Sequence, residues 1–373
     1  MSDWRYIAQR LPSGEWLDWD LPLSDVEIAH QLSGPGGLNG TVPVEVARLI
    51  GPDGLPVLLP WGCAIWAEAS GEIRGGGILV RNEFDGAQWQ LECVGLAGYA
   101  AGQPWLGKEY SGVKVDPLSI VRRIWDHLQG EPGGDLGLVV DSTKSPVRVG
   151  TEKKDVEFTT GSGEDVSFES GPFKLTPWDT DDVGKVIDDL AESTPFDYVT
   201  HTSWDGSSDS LKHRLELAYP RRGSRRHDLR FVVGENVTVD PQQTMDGDDY
   251  ASVVLGIGSG EGRDAARAVV TKDRGRLRRA VSVSDKSARS KRAITSVAKS
   301  ELKARSGAVQ VESISVAEGP LAEVASLVVG DEIFVQSDAG WLDLNLWVRV
   351  LGISWAPDDL STLRLDVVRS EEA

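Results

Sequence analysis

The chain has 373 residues, of which 40% are hydrophobic and 26% charged, and its formal net charge is −19. This length accommodates about two to four domains with ample core. The acidic balance argues against a nucleic-acid-binding surface of the usual kind. The longest apolar runs fall far short of a membrane span, and the first residues lack the basic and apolar regions of a signal peptide.

The first 95 or so residues have the alternating pattern of β-strands. Apolar residues alternate through Trp16–Trp19 and again from Val26 toward Leu32. The next segment, Ser33–Gly40, contains four glycines and a proline, which exclude a helix and permit positive φ angles. Further strands are predicted, with turns between them at Gly75–Gly77 and Asp85–Gly86; these strands are Pro56–Leu59, Cys63–Ala69, Gly77–Arg81 and Trp89–Val94.

Three helices are predicted further along the chain. The first is Asp116–Leu128, with Asp116 as N-cap, Pro117 in the first helical position and Gly130 past the end. The second is Asp181–Glu192, where acidic residues complement the helix dipole. The third, Ser287–Lys303, has a narrow apolar stripe and a basic opposite face. Residues 141–178 are polar and predict extended strands and exposed loops.

The C-terminal third returns to strand patterns, and the last two strands are separated by a turn at Ala356–Ser361. Strands are predicted at Leu211–Tyr219, Leu229–Val233, Ala280–Val283, Val329–Val335, Trp347–Trp355 and Thr362–Val368.

No pattern of catalytic or metal-binding residues is found, so we expect no enzyme, no cofactor and no metal. His201 and His213 could meet across a hairpin, but ordinary histidines are the favoured interpretation. Gly256–Arg263 has glycines at the wrong spacing for a dinucleotide loop and lacks the phosphate-binding lysine, which favours a turn. The two cysteines, Cys63 and Cys93, are expected to be reduced and buried.

Two features indicate candidate interfaces. The segment 263–305 holds fourteen lysines and arginines against four acidic residues, about +10 in a chain of −19. Pairing with the acidic remainder of the chain or with a neighbouring subunit is favoured over nucleic acid. Several of the 13 tryptophans lie in predicted strands, where core packing or a subunit interface is the default and carbohydrate stacking the alternative. The candidate interface residues are Arg289, Arg292, Lys299, Lys303, Trp341, Trp347 and Trp355.

Four stretches, in collinear order over nearly the whole chain, resemble the Gp37-like minor tail proteins of actinobacterial siphophages, which belong to the tail hub or baseplate hub class. None of the four has a chemical signature, so their succession carries the resemblance. They are Leu23–Pro43 (LSDVEIAHQLSGPGGLNGTVP), Asp116–Asp141, a third that runs from Asp182–Tyr198 (DVGKVIDDLAESTPFDY) to Leu215–Val237, and Tyr250–Val270 (YASVVLGIGSGEGRDAARAVV).

The resemblance implies a β-rich α+β fold with two tail-tube-like β-barrels and two α/β insertions, assembled as a threefold ring. The first barrel would take 1–95 and 211–240, and the second 241–260 and 306–373. An α/β insertion would take 96–210, and a basic α/β insertion 261–305. Other hub proteins carry fibre or peptidase modules in a C-terminal extension, whereas this chain stops just after its last predicted strand.

The function that the resemblance implies is structural. The chain would be a homotrimeric tail hub at the distal end of a non-contractile phage tail, made in the host cytoplasm and located at the tail tip of the virion. It would adapt sixfold tail symmetry to a threefold tip and gate the DNA channel. Its partners would be the distal tail protein ring, the C-terminus of the tape-measure protein and tail-tip or receptor-binding proteins, with no membrane.

An acidic lumen would suit this role, because each contact between a phosphate and a cationic side chain adds affinity and hinders sliding. The acidity also has a simpler interpretation, which is solubility. Two rival functions remain open on the sequence: a carbohydrate-binding host-attachment module and a cell-wall hydrolase.

Overall fold

The structure is a computed structural model, and it describes most of the chain. The described residues are 4–152, 154–159, 165–206, 210–239, 243–244, 250–260, 265–272, 275, 277–285, 291–305, 310–319, 322–337 and 344–370.

The described part is rich in β-strands and has few helices, which confirms the β-rich prediction. The helices are α1 (Val44–Ala47), α2 (Pro117–Gly130), α3 (Val183–Ser193) and α4 (Lys291–Arg305), with 3₁₀ turns at Leu96–Ala100 and Val324–Ser326. The strands are β1 (Trp4–Arg10), β2 (Trp16–Asp18), β3 (Ser24–Gln31), β4 (Gly37–Val42), β5 (Cys63–Ala69), β6 (Glu72–Phe84), β7 (Trp89–Val94), β8 (Tyr110–Gly112), β9 (Leu138–Val140), β10 (Lys154–Thr159), β11 (Asp165–Ser170), β12 (Phe173–Leu175), β13 (Asp197–Trp204), β14 (Leu211–Ala218), β15 (Arg225–Val232), β16 (Val237–Val239), β17 (Gln243–Thr244), β18 (Val253–Ile257), β19 (Arg267–Thr271), β20 (Ala280–Ser284), β21 (Gln310–Val311), β22 (Ser313–Ala317), β23 (Glu332–Ser337), β24 (Leu344–Ala356) and β25 (Asp359–Arg369).

The chain forms two compact units. The first unit comprises Met1–Thr151, Pro172–Asp240 and Ser313–Val367, and the second comprises Glu152–Gly171, Pro241–Glu312 and Val368–Ala373.

A 13-stranded sheet is the framework of the first unit. Its N-terminal half has the order β3-β4-β7-β6-β5-β1-β2, and its C-terminal half the order β16-β22-β25-β24, with β15 and β23 extending from β24. The halves are joined by antiparallel pairing of β24 with β3, from Gly352 opposite Gln31 to Trp355 opposite Ile28. The long strand β24 therefore belongs to both halves.

One core lies against the N-terminal half of the sheet. Strand alternation directs every second side chain inward, and Ile28, Ile65 and Leu79 are fully buried. The turn before β4 depends on glycine: Gly36 has φ +58°, and a Cβ there would lie 2.4 Å from the carbonyl oxygen of Ala29. The strand begins immediately afterwards at Gly37, so the glycine-rich segment is part turn and part strand.

The first two predicted helices are confirmed with small shifts at their ends. Asp116 caps α2, accepting a hydrogen bond from the Leu118 amide at 3.1 Å. Helix α3 is capped by Asp182, which accepts from the Lys185 amide at 3.0 Å, so it begins two residues later than predicted. Both helices bury one side in a second core with β13 and β14.

Two local predictions near the N-terminus are wrong. Pro56–Leu59 is not a strand, although Val57 and Leu58 are buried; their apolar side chains cap the core from a loop. The predicted turn at Gly75–Gly77 lies inside β6, where the strand bulges against β5. These glycines allow close approach of strands, because a Cβ on Gly77 would lie 2.1 Å from the carbonyl oxygen of Val94.

Strand pairing differs from the predicted assignment of 211–240 to the first barrel. Strand β14 pairs with β13 and β9, next to the two helices, while β15 and β16 pair with β23 and β22 of the C-terminal half. Alternation along 211–232 predicts strands but carries no information about their partners.

The second unit contains a three-stranded sheet, ordered β19-β18-β20, with α4 packed on it. Residues 253–257, predicted to lie in the second barrel, form the central strand β18 of this sheet. The predicted apolar stripe of α4 is confirmed, since Ile294, Ala298 and Leu302 are buried. The predicted helix start, Ser287–Ser290, lies outside the described residues.

Replacing Gly256 by alanine is expected to loosen this unit, because α4 lies directly over that glycine. A Cβ there would be 2.8 Å from Cγ1 of Ile294 and 2.9 Å from its carbonyl oxygen. Overpacking of this kind costs about 1–3 kcal/mol, which proteolysis and hydrogen exchange within α4 measure. Gly171→Ala is the control, because a Cβ there meets no atom within 4 Å. Equal protection of α4 in both variants would contradict the expectation.

Candidate interaction surfaces

The predicted basic residues are distributed along and beside α4. Arg292 and Lys299 are exposed, on the side of the helix opposite the buried Ile294 and Ala298. Arg289 lies outside the described residues, as does the side chain of Lys303. The two described cations are therefore available to a partner, and their role as an interface stays a prediction.

The two described tryptophans of the predicted interface pack within the chain. Trp347 on β24 is half-buried, with the Arg225 guanidinium 4.8 Å from its ring centroid and the Phe334 ring at 5.4 Å. Trp355 is also half-buried and meets the His30 ring edge-on at 4.9 Å. Trp341 lies outside the described residues. Both described rings hold neighbouring strands together.

A different set of tryptophans, not selected from the sequence, forms a cluster at the surface. The Trp16 ring centroid lies 4.7 Å from that of Trp19 and 5.6 Å from that of Trp204. Trp19 is 42% exposed, stacks with Trp204 at 6.2 Å, and carries the Arg5 guanidinium 5.5 Å from its ring centroid. We call these three residues the tryptophan cluster. Trp204 comes from β13, so no local pattern indicates that it joins the other two.

The loop between α1 and β5 exposes several large apolar side chains. The exposed fractions are 43% for Leu49, 62% for Ile50, 48% for Leu55 and 52% for Trp61. The loop is nevertheless ordered by its own backbone: the Gly51 amide donates to the carbonyl of Leu55 at 2.8 Å, and the Val57 amide to that of Leu49 at 2.9 Å. We call residues 49–61 the apolar segment.

A buried arginine holds this segment against the sheet. Arg10 on β1 is only 5% exposed, and its guanidinium donates to the carbonyls of Pro56 at 3.1 Å and Gly62 at 3.2 Å. It also pairs with Asp53, donating to Oδ1 at 3.0 Å. Hydrogen bonds of the Asp53 carboxylate, first from the Leu55 amide and then from Arg10, lower its pKa. One cation therefore fixes the middle of the apolar segment and the residue that follows its C-terminal end.

A buried ionic network connects β13 to the C-terminal strands of the first unit. Asp197 is 7% exposed, pairs with Arg349 of β24, and accepts from the Arg222 amide at 2.6 Å. Asp331 is 2% exposed; its carboxylate accepts from the Ser224 amide at 3.0 Å and from Arg226 at 3.2 Å. These bonds lock the turn after β14 onto the turn before β23.

His201 and His213 do not meet. Their strands are paired, with His201 opposite Arg214 and Thr202 opposite His213, so the two imidazoles point to opposite faces. His201 bonds Glu216 at 2.8 Å, and His213 bonds Thr202 at 3.0 Å. Within the described ranges, no group of three or more histidine, cysteine or acidic side chains is placed to hold a metal ion.

A small cavity of about 100 Å³ lies between β3, β6 and β13. Among its lining side chains are His30, Trp66 and His201, and His30 bonds the carbonyl of Arg74 at 2.9 Å. Burial lowers the pKa of His30, and it lowers that of the neighbouring His213 to about 4. A space of this size holds only a few water molecules, so we assign no ligand to it.

The prediction for the cysteines is confirmed: Cys63 and Cys93 are free and buried. Burial raises the pKa of the Cys63 thiol to about 12 and raises that of Cys93 well above its usual range. Thiols in such surroundings are chemically inert. Among the described helices, none is long and apolar enough to cross a membrane.

No family model and no curated protein matches this chain. Solved structures match it over nearly their full lengths. The 43 kDa tail protein of prophage MuSo2 from Shewanella oneidensis has a TM-score of 0.57 at 11% identity, covering 98% of each chain. A tail protein from Neisseria meningitidis has a TM-score of 0.53 at 14% identity, covering 99% of this chain and 97% of that one.

A prophage tail protein from Listeria monocytogenes has a TM-score of 0.54 at 9% identity, covering 98% of this chain and 94% of that one. Identities this low show a common fold only. The chain therefore shares its overall fold, from end to end, with prophage tail proteins.

Proposed function

We propose that this chain is a structural component of a bacteriophage tail and has no catalytic role. The observation that carries the proposal is the full-length similarity to the Shewanella oneidensis prophage tail protein, with 98% of each chain covered. Because the match covers both whole chains, it includes the 13-stranded sheet together with the helices and the smaller sheets. A chance likeness between single common domains would not extend over all of these elements.

Within the tail, we place the chain in the hub at the distal end, as a homotrimeric ring that adapts sixfold symmetry to a threefold tip. The sequence resemblance to Gp37-like siphophage proteins supports this placement. The partners would be the distal tail protein ring, the tape-measure C-terminus and tail-tip or receptor-binding proteins. The 13-stranded sheet has two halves, which are joined by the pairing of β24 with β3. These halves would be the two tail-tube-like barrels.

The charge of the chain supports a lumen through which DNA passes without specific binding. Three copies would carry about −57 in total, three times the −19 of one chain. Like-charge repulsion would keep a duplex away from such a wall. The tail hub would gate this channel until ejection.

The first experiment is immunogold electron microscopy of phage particles from the source lysate, with antibody against this chain. Label confined to the tail tip is expected. Label along the whole tail would contradict the hub placement, and particles unlabelled even after gentle disruption would contradict the virion role altogether.

The exposed basic residues of the second unit are proposed to dock on the acidic surface of a neighbouring tail subunit. Reversing the charges of Arg289, Arg292, Lys299 and Lys303 is expected to lower the yield of infectious particles by at least about tenfold, because several attractive pairs become repulsive. Plaque titre measures the effect, and circular dichroism shows that the chain still folds.

The control for this variant reverses four exposed lysines of the first unit, which gives the same change in net charge; these are Lys108, Lys114, Lys144 and Lys174. Normal titre is expected for the control. Equal loss in both variants would attribute the effect to net charge and not to the basic face.

A second candidate function, carbohydrate binding for host attachment, is favoured by the tryptophan cluster alone. Partly exposed indole rings are the side chains on which sugar rings stack. Quenching of tryptophan fluorescence by cell-wall polysaccharide, lost in Trp19→Ala, would support this candidate. A wall-hydrolase role would need clearing of host-wall turbidity by the purified chain, which we do not expect.

A further inference from the structure

We propose that the apolar segment, residues 49–61, is a surface by which one copy of this chain docks on a second copy. This inference rests on the proposed ring of identical subunits and assigns to it a contact surface. Three features of the segment, together with the symmetry of the proposed ring, support it.

The first feature is exposed apolar area. Leu49, Ile50, Leu55 and Trp61 are each 43–62% exposed. Side chains of this size and exposure present on the order of 400 Å² of apolar surface, the size at which patches on monomers are commonly functional. A standard interface uses about 800 Å² from each partner. The segment would therefore supply about half of one side of a contact between copies.

The second feature is rigidity. Exposed apolar side chains on an ordered loop lose little conformational entropy on docking, so more of the contact energy appears as affinity. Here the buried Arg10 holds the loop in place. Its guanidinium donates hydrogen bonds to the carbonyls of Pro56 and Gly62 and pairs with the Asp53 carboxylate. A buried arginine is costly unless it is fully paired, so this arrangement stabilises one defined shape of the segment.

The third feature is charge. Each copy carries −19, so copies repel one another wherever acidic surfaces meet. The apolar segment contains one ionisable side chain in 13 residues, Asp53, and that carboxylate is paired with Arg10. The segment is therefore a place where a second copy can approach without like-charge repulsion.

The symmetry of the proposed ring adds a further argument. A closed threefold ring has head-to-tail contacts, in which each copy contributes two different surfaces. The apolar segment would be one of them. A membrane is a less suitable occupant, since segments that enter lipid surfaces are usually flanked by several basic residues, whereas Glu45, Arg48 and Asp53 are the charges found here.

The test is photo-crosslinking with p-benzoylphenylalanine in place of Ile50, both in assembled particles and in the purified full-length chain at high concentration. The expected product is a covalent adduct between two copies of this chain, identified by mass spectrometry. Val139, 65% exposed on β9, takes the same probe as control and is expected to give no such adduct. An adduct with a different protein only, or no protein adduct in either setting, would overturn the inference.

A second variant, Ile50→Ser with Leu55→Ser, measures the strength of the contact. Loss of two apolar anchors is expected to weaken self-association. The dissociation constant measured by sedimentation should rise by about 10- to 100-fold. The segment should keep its shape, because the bonds of Arg10 go to backbone carbonyls and Asp53. Unchanged self-association would contradict the inference.

The outcomes separate this inference from the proposed function. Labelled tail tips combined with adducts to another protein only would leave the tail role standing and remove the self-docking surface. Unlabelled particles combined with an adduct between two copies would remove the tail role and leave the self-docking surface standing.

Discussion

Replacing Asp197 by alanine is expected to lower the free energy of unfolding of the first unit by about 3–5 kcal/mol. The carboxylate is 7% exposed, pairs with Arg349 and accepts from the Arg222 amide at 2.6 Å. Its removal leaves the guanidinium, whose side chain is only 12% exposed, buried without a counter-ion. The remaining bonds of Arg349, to the carbonyls of Arg222 and Gly330, do not neutralise its charge.

Urea denaturation followed by tryptophan fluorescence measures this effect, because several indoles are buried in the first unit. Combining Asp197→Ala with Arg349→Met is expected to cost less than the sum of the two single changes, since the double variant leaves no uncompensated charge. Asp189→Ala, at an exposed carboxylate of α3, is the control. A loss below about 1 kcal/mol for Asp197→Ala would show that water compensates the arginine.

Acidification is expected to destabilise the first unit through His213. Burial lowers the pKa of this imidazole to about 4, compared with an ordinary value of 6.5 in the unfolded chain. Between these values the unfolded chain binds the additional proton, so stability is fully present above pH 6.5 and is lost as the pH falls toward 4. A shift of this size corresponds to about 3 kcal/mol.

The structural cause is the packing of His213 on Trp66, whose ring centroid is 5.1 Å away. Thr202 is its described hydrogen-bond partner. The measurement is the free energy of unfolding at several pH values between 7 and 4. His213→Gln, which stays neutral, is expected to show a shallower decline over this range. The control His227→Gln, at an exposed histidine, should follow the unaltered chain; identical profiles for all three would contradict the assignment.

Local features of the sequence predicted individual elements well. The bounds of β5 and β7, Cys63–Ala69 and Trp89–Val94, agree with the prediction. In β7 apolar residues alternate with the period of a half-buried strand, whereas β5 is a short apolar run that is buried along its whole length. The start of α2 was equally easy to predict from the sequence, since Asp116 and Pro117 are adjacent and together form a capping signal. Where the local signal was ambiguous, as at Pro56–Leu59, buried apolar residues proved to belong to a loop.

The candidate surfaces were much harder to predict. Arg292 and Lys299 were selected from a local excess of charge, and they are exposed on α4. The tryptophan cluster and the apolar segment were missed, because each depends on distant parts of the chain. Trp204 reaches Trp16 from β13, and Arg10 reaches Asp53 across 43 positions.

The sequence by itself determined the β-rich class, the capped helices, the buried thiols and the alternation that gives strands such as β3, β7 and β14 a buried face. These properties depend on residues within a few positions of one another, where hydrophobic period and capping act directly. The tertiary structure alone decided that β14 joins β13 and β9, and that β24 is shared by the two halves of the sheet. It also decided that Asp197 meets Arg349, 152 positions away. Such contacts are selected by the packing of whole elements, which no short segment specifies.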